Sequence, residues 1–146
     1  MSRLPATARW IISVVAVFTF VSPFVADWNA THIYNPNWPP HAKFHNAQTM
    51  LLGLFLGHAA LYFAWRRSAD QRGTLIAALS FAASYWITQT ASIAFPGTRW
   101  LDPEFDKASS YVAGIIPGNL MADLVILPLL AFAAWSGFRA LSRASG

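Results

Sequence analysis

Four long apolar stretches, separated by short connections that carry most of the charge, set the main constraint on how this chain folds. Each stretch is close to the roughly 20 residues that a helix needs to cross a hydrocarbon layer about 30 Å thick. The chain is 55% hydrophobic and only 11% charged, whereas a soluble domain normally carries about 25% charged residues. The sequence therefore predicts an all-α, polytopic membrane protein. Its four transmembrane helices are expected at residues 10–27, 44–65, 74–95 and 119–138.

These spans leave little chain for any other unit. One transmembrane domain over residues 1–146 is expected, with two longer loops at 28–43 and 96–118. The net charge is +4, but the basic residues flank the apolar stretches and form no stripe with exposed aromatic residues, so no nucleic-acid partner is expected. The chain has no cysteine and therefore neither a disulfide nor a thiolate ligand.

The basic residues predict the orientation of the bundle. Seven of the ten Lys and Arg residues fall on the side that carries both termini and the connection between the second and third spans. By the positive-inside rule, that side is cytoplasmic. We therefore expect a multi-pass protein of a plasma, inner or endomembrane, with both termini in the cytoplasm and both long loops outside it. The seven residues are Arg3, Arg9, Arg66, Arg67, Arg72, Arg139 and Arg143.

The first span also fits a second interpretation. A basic start, an apolar run and small residues near Ala26 resemble a secretory signal with a cleavage site. The run is long for a signal, and Trp10 and Trp28 bracket it like an interfacial aromatic belt. These features favour an uncleaved span.

Small residues in the second span indicate close helix packing. Gly53 and Gly57 form a GxxxG pair, which lets two helix backbones approach each other in lipid. Packing inside the bundle is the favoured interpretation. The alternative is a homo-oligomer formed through the same face. A membrane partner protein, docked by the first long loop, is a separate alternative.

Most groups capable of chemistry lie near the first long loop. Three of the four histidines fall between residues 27 and 48, together with prolines that favour an ordered path. His41 and His45 are four residues apart near the start of the second span, and they share a face if the helix begins by Pro40. Gln48 and Thr49 continue that polar face into the span.

The third and fourth spans place further polar residues at the same depth. An acid inside a membrane helix is costly and usually faces a bundle interior or a watery cavity. The sequence therefore predicts a polar pocket in the outer leaflet, roofed by the proline-rich loop. Its predicted catalytic residues are His45, Asp123 and His41, and its predicted ligand-binding residues are Gln48, Thr49, Tyr85, Gln89, Trp38 and Asn119.

Each titratable residue also has a structural interpretation. Asp123 is alternatively a helix cap or the partner of Arg99 or Lys107, and His41 and His45 are alternatively interfacial hydrogen-bonding residues without a ligand. His32 is interpreted as a solvated loop residue. His58 lies deeper and is interpreted as a packing histidine.

Metal binding is a further alternative at the paired histidines. Two His residues at i and i+4 are a known ligand geometry, but this HxxxH lacks the glutamate of zinc proteases, and no second histidine-rich helix follows. No cofactor is therefore predicted, and a metal at His41 and His45 is kept as the alternative.

Residues 35–48, NPNWPPHAKFHNAQ, resemble the NPxWPPHxxFH signature of a small, uncharacterised family of four-span membrane proteins in bacteria and fungi. This resemblance implies a four-helix membrane fold and brings no activity with it. In layout alone, the chain is similar to the emopamil-binding-protein-related superfamily, which includes sterol isomerases and sterol or drug binders. The second span has no intramembrane glutamate, so no catalytic residue is carried over.

Two functions fit these features. The first is a small enzyme on a lipid-like substrate, in which His45 and Asp123 exchange protons during isomerisation, cyclisation or hydrolysis. The second is a non-catalytic lipid- or sterol-binding protein, or an accessory membrane subunit. Transport ranks last because the inner halves of the spans offer few polar groups.

Overall fold

Each of the four apolar stretches forms a helix in the computed structural model, which describes residues 1–144. The helices are α1 (Ala6–Asp27), α2 (Pro40–Trp65), α3 (Gln71–Ser92) and α4 (Gly118–Ala144). The prediction of a mainly helical chain is confirmed. Positions 145 and 146 of the predicted domain lie outside the described residues.

The helix ends follow local chemistry. Pro40 occupies the first position of α2, where its missing N–H removes no helical hydrogen bond. The carboxylate of Asp70 caps α3 and accepts a hydrogen bond of 2.8 Å from the backbone N–H of Gly73. At the C-terminal end of α1, the side-chain amide of Asn29 donates a hydrogen bond to the carbonyl of Ala26 at 2.7 Å. These side chains satisfy backbone groups that a helix end leaves free.

The connection between α3 and α4 contains a small hairpin that the sequence did not predict. Strands β1 (Tyr111–Val112) and β2 (Ile116–Pro117) pair antiparallel, with Tyr111 opposite Pro117 and Val112 opposite Ile116. Two short 3₁₀ turns precede it, at Pro103–Phe105 and Ala108–Ser110. Strands of two residues are too short to show the alternation by which a strand is recognised.

Three of the helices are long and apolar enough to span a membrane: α1, α2 and α4. Helix α3 has 22 residues, the same length as α1, but it carries more polar residues. Its buried face combines Thr74 and Trp86 with leucine and alanine. The chain is therefore compatible with a membrane protein through three of its helices.

Close contact between α1 and α2 organises the core. A Cβ atom added at Gly57 would lie 2.6 Å from the carbonyl oxygen of Ala16 and 2.9 Å from Cβ of Phe20. One added at Gly53 would lie 2.9 Å from both Pro23 Cγ and the carbonyl oxygen of Thr19. The GxxxG pair is thus used inside the bundle, where only glycine permits this approach.

Two indoles, that of the buried Trp86 and that of the half-buried Trp65, connect the helices through hydrogen bonds. Trp86 of α3 donates to the Thr19 hydroxyl of α1 at 2.8 Å. Trp65 of α2 donates to the Ser13 hydroxyl of α1 at 2.9 Å. Both polar atoms are satisfied within the core, as burial requires.

The two termini lie at the same end of the bundle. The backbone of Ser2 pairs with that of Ser68 in the α2–α3 connection. The guanidinium of Arg72, at the start of α3, donates to the Ser142 hydroxyl near the end of α4 at 3.1 Å. We call this the terminal end. The two long connections, 28–39 and 93–117, lie at the opposite end.

Candidate functional site

The two long connections are tied together by hydrogen bonds across more than 60 residues of sequence. Asn35 is only 1% exposed; its amide donates to Glu104 Oε1 at 2.6 Å. The amide of Asn37 donates to Glu104 Oε2 at 2.9 Å, and the indole of Trp38 donates to Asp102 Oδ2 at 3.1 Å. We call these five residues the loop clasp. The most distinctive sequence segment of the chain therefore supplies one half of a connection between loops.

Asn35 also organises its own loop. Its amide nitrogen donates to the carbonyl of Thr31 at 3.3 Å, and its amide oxygen accepts from the backbone N–H of Asn37 at 2.8 Å. The backbone N–H of Asn35 donates in turn to the carbonyl of His32 at 3.0 Å. These bonds fold residues 31–37 into a compact turn that presents Asn35 to Glu104.

A cleft of mixed polar and apolar lining lies beside the clasp and receives residues from all four helices. It consists of two adjoining cavities of about 500 and 350 Å³. Residues of α2, α3, α4 and the second loop line both cavities. These shared residues are Thr49, Tyr85, Gln89, Trp100 and Asn119. Four of the six predicted ligand-binding residues therefore line this cleft.

One wall of the cleft holds a carboxylate and an imidazole. Asp27 Oδ1 lies 3.7 Å from His32 Nδ1, and Asp27 Oδ2 accepts a hydrogen bond of 2.8 Å from the amide of Asn46. The hydroxyl oxygen of Thr31 lies 2.6 Å from His32 Nδ1, and the ring of His32 packs edge-on against Trp38 with 4.9 Å between ring centroids. His32 is thus held in place, contrary to the expectation of a freely solvated loop residue.

Asp123 lies behind the opposite wall, 2% exposed. Its Oδ1 accepts a hydrogen bond of 3.1 Å from Gln89, whose amide also donates to the carbonyl of Asn119 at 3.3 Å. Its Oδ2 and the neighbouring hydroxyl of Thr90 make no hydrogen bond of normal geometry. The partner of Asp123 is therefore Gln89 of α3, in place of the alternative pairing with Arg99 or Lys107.

His41 and His45 lie on an exposed face of α2, outside the two cavities of the cleft. Their Nε2 atoms are 3.0 Å apart, and His45 Nδ1 donates to Gln48 Oε1 at 3.3 Å. Helix α2 turns the neighbouring Asn46 toward α1, which directs His45 about 100° away from that contact. The structure therefore does not bring His45 and Asp123 together, and proton exchange between them stays a prediction.

The other sequence-predicted positions are placed as follows. Trp38 belongs to the clasp, and Gln48 lies with the two histidines. His58 bonds the carbonyl of Leu54 at 2.8 Å and contacts the ring of Phe20, but it is exposed, so its interpretation as a packing histidine stays a prediction.

Sequence reasoning did not include Asp27, His32, Asn46 or Trp100 among the site residues. The sequence could have indicated Asp27, because an acidic residue at the end of an apolar span usually faces a polar partner. Asn46 lies next to His45 in the same polar run, and nothing in the pattern distinguished the two. The positions of His32 and Trp100 depend on how the two loops fold, and no sequence signal for either was present.

An apolar groove between α1 and α4 continues from the cleft. Its volume is about 430 Å³, and it is lined by Val14, Val15, Phe18, Gly118, Met121, Ala122, Val125, Ile126 and Leu129. We call it the α1–α4 groove. It shares Phe18, Gly118 and Ala122 with the larger cavity of the cleft. The two spaces therefore adjoin at these three residues, and the cleft contains more polar groups than the groove.

Within residues 1–144, no three His, Asp or Glu side chains gather in a group able to hold a metal ion. The cleft thus offers hydrogen-bonding groups, one carboxylate–imidazole pair and an apolar extension. These groups can hold a molecule with a polar head and a hydrocarbon part.

Comparisons with known proteins give one family match. No curated protein and no solved structure matches the chain. The sequence profile described as a family of unknown function (DUF6640) matches residues 11–131, a range that contains the clasp, the cleft and the α1–α4 groove. This match agrees with the predicted resemblance to an uncharacterised family. The chain belongs to the DUF6640 family, a family of unknown function.

Proposed function

We propose that this chain is a four-span membrane protein that binds an amphipathic, lipid-like molecule. Its polar head would occupy the cleft, and its hydrocarbon part would lie in the α1–α4 groove. The observation that carries this proposal is that the two spaces adjoin at Phe18, Gly118 and Ala122, which line both of them. A lipid could then enter sideways from the bilayer without leaving an apolar environment.

The linings of the two spaces match the two parts of such a molecule. The cleft presents hydroxyl groups of Thr49 and Tyr85 and amide groups of Gln89 and Asn119. Thr49, Gln89 and Asn119 donate to protein oxygens, and all four residues have an oxygen that can accept a hydrogen bond from a ligand. The groove presents aliphatic and aromatic carbon. Ligand sites commonly combine mostly apolar walls with a few polar groups and enclose about 300–1,000 Å³.

The proposal includes a fourth span, formed by α3. Its hydroxyl groups bond carbonyls of their own helix: Ser84 to Ser80 at 2.6 Å, Thr88 to Ser84 at 2.8 Å and Ser92 to Thr88 at 2.7 Å. Such bonds satisfy a hydroxyl without water and lower the cost of placing it in lipid. Helix α3 also packs between α2 and α4, which removes part of its surface from the bilayer.

The proposed orientation has the terminal end in the cytoplasm. Seven arginines lie on that side, as the positive-inside rule favours. Helix α1 packs against the other three helices and supplies the hydroxyls of Ser13 and Thr19 to the indoles of Trp65 and Trp86. These contacts support an uncleaved first span. With the terminal end in the cytoplasm, the clasp and the cleft would lie on the outer side.

Acid–base catalysis on the bound molecule is a second candidate function. It is favoured by the Asp27 and His32 pair in the cleft wall, with 3.7 Å between carboxylate oxygen and imidazole nitrogen. An imidazole can accept a proton from a substrate and return it at another position, while a nearby carboxylate stabilises the imidazolium. In the structure this pair reaches the cleft, whereas His45 does not.

Ala122→Phe tests the lipid-binding proposal, because the new ring would fill the junction of cleft and groove. The protein is purified in a mild detergent, and native mass spectrometry identifies lipids that remain bound. Ala131→Phe is the matched control: it makes the same change at an exposed position of α4 that lines neither space.

The wild type and Ala131→Phe are expected to retain a lipid, and Ala122→Phe is expected to lose at least about nine-tenths of it. Equal lipid in all three proteins, or none in the wild type, would overturn the proposal. Chromatography of lipids incubated with the wild type and with His32→Gln tests the second candidate. A product that forms only with the wild type supports catalysis, and no product with either protein removes it.

A further inference from the structure

The exposed face at the start of α2 carries a second group of polar residues that the lipid-binding proposal does not use. We propose that His41 and His45 form a binding site for a divalent transition-metal ion, with Gln48 orienting one of the two ligands. This inference goes beyond the proposed function and rests on different residues. His41, His45 and Gln48 are all exposed, so the site is accessible from outside the bundle.

The distance between the two imidazoles is the main observation. Their Nε2 atoms are 3.0 Å apart, and the rings are inclined at 76° with 4.5 Å between centroids. Imidazole nitrogens bind zinc at about 2.0–2.1 Å. Two such ligands at angles between 90° and the tetrahedral angle are about 2.9–3.4 Å apart. Both donor atoms are therefore at the spacing that a shared ion requires.

The hydrogen bond to Gln48 selects the tautomer of His45 that carries its proton on Nδ1. His45 Nδ1–H donates to Gln48 Oε1 at 3.3 Å, which leaves a lone pair on His45 Nε2. Metal-binding histidines commonly donate their second ring N–H to an oxygen in this way. The ring of His41 lies almost parallel to Phe44, at 5° with 6.0 Å between centroids. The packing of His41 and the hydrogen bond of His45 limit rotation of the two rings.

Metal binding replaces the hydrogen bond between the two neutral imidazoles of His41 and His45. Without metal, His41 Nε2–H donates to the lone pair of His45 Nε2. With metal, the His41 proton resides on Nδ1, and both Nε2 lone pairs bind the ion. The number of protons on the two neutral rings is unchanged, so the step is balanced without any further reactant.

The ligand set indicates the class of ion. Imidazole suits zinc, copper and nickel, whereas magnesium and calcium require oxygen ligands. Among residues 1–144, no third His or acidic side chain completes a protein site, so water would fill the remaining positions. Copper(II) should bind more tightly than nickel(II) or zinc(II), following the general order of stability.

The test uses full-length protein in detergent without a histidine tag. Copper(II) is added in steps, and electron paramagnetic resonance counts the nitrogen atoms that bind it. Zinc(II) affinity is measured separately by calorimetry. The variants are His41→Ala, His45→Ala and Gln48→Ala. His58→Ala is the matched control, because it removes an exposed histidine of the same helix outside the pair.

One copper ion per chain with two imidazole nitrogens is expected. Gln48→Ala should weaken zinc binding by about tenfold or more, as loss of a supporting residue does, and loss of either histidine should weaken it further. His58→Ala should bind like the wild type. Circular dichroism confirms that each variant is folded before titration.

The proposal would be overturned if copper(II) were bound by only one nitrogen in the wild type. It would also be overturned if the wild type and the folded His41→Ala variant bound zinc(II) with equal affinity. If His45→Ala does not fold, His41→Ala and Gln48→Ala still decide the question. His41→Ala should leave the lipids bound in the cleft unchanged. The metal-site proposal and the lipid-binding proposal can therefore be refuted independently of each other.

Discussion

Replacing Glu104 with alanine should release the loop clasp. Glu104 accepts one hydrogen bond from Asn35 at 2.6 Å and one from Asn37 at 2.9 Å. A hydrogen bond to a charged group contributes about 1.5–3 kcal/mol. Asn35 is buried but Glu104 is exposed, so this range is the upper limit for the bond from Asn35, and the bond from the exposed Asn37 is assigned about 0.5 kcal/mol because water screens it. The local free energy of opening should therefore fall by at most about 2–3.5 kcal/mol.

Hydrogen exchange of the two loops measures this change. The backbone N–H of Asn35 bonds the carbonyl of His32, and that of Phe105 bonds the carbonyl of Asp102. Both amides should become exposed when the clasp opens. A loss of about 2–3.5 kcal/mol corresponds to exchange that is about 30- to 400-fold faster at these amides. Amides in the middle of α2 should be unaffected.

Two variants make the test specific. Glu104→Gln keeps an acceptor for Asn35 and loses the charge, so its exchange rate should fall between those of the wild type and Glu104→Ala. Lys107→Ala is the control, because Lys107 lies in the same loop and its side chain is not part of the clasp. If Glu104→Ala exchanges no faster than Lys107→Ala, the hydrogen bonds from Asn35 and Asn37 do not hold the loops together.

Three further predictions concern the bundle and the second loop. Gly57→Ala places a Cβ 2.6 Å from a backbone carbonyl oxygen of α1 and should lower the free energy of unfolding in detergent by about 1–3 kcal/mol. Gly118→Ala should be tolerated, because its new Cβ would lie 4.0 Å from the nearest atom, the carbonyl oxygen of Ser110. Trp86→Phe removes the indole hydrogen bond to α1 and should cost about 1 kcal/mol in the same assay. The hydrogen bond to Asp106 raises the pKa of Tyr111, so the neutral phenol stabilises the fold below the ordinary pKa of about 10. That contribution is lost as pH rises through the raised pKa. Asp106→Asn should lower the pKa of Tyr111, which ultraviolet absorbance of the phenolate measures against Tyr111→Phe.

The sequence predicted the helices well because their signal is local. Apolar runs of membrane length indicate where the helices lie. The structure starts α2 and α3 three to four residues before the predicted spans, at Pro40 and directly after the N-cap Asp70. The depth of Gln89 and Asp123 also followed from counting turns, and the two side chains do contact each other.

The sequence could not predict which side of α2 faces the cleft. His45 and Asn46 are adjacent and polar, and only the close approach of α1 at the glycine pair decides that Asn46 points inward. The position of His32 depends on Asn35 and on a carboxylate almost 70 residues away. Such contacts have no periodic signal in one sequence.

The pairing of the Ser2 and Ser68 backbones has a practical consequence for experiments on this protein. A fluorescent protein or an enzyme reporter fused before Ser2 would lie beside the α2–α3 connection. Helix α1 has 22 residues and rises about 1.5 Å per residue, so the reporter would be about 33 Å from the far end of α1. Attached there, a reporter would indicate which compartment contains the terminal end and would not contact the two hydrogen-bonded loops at the opposite end.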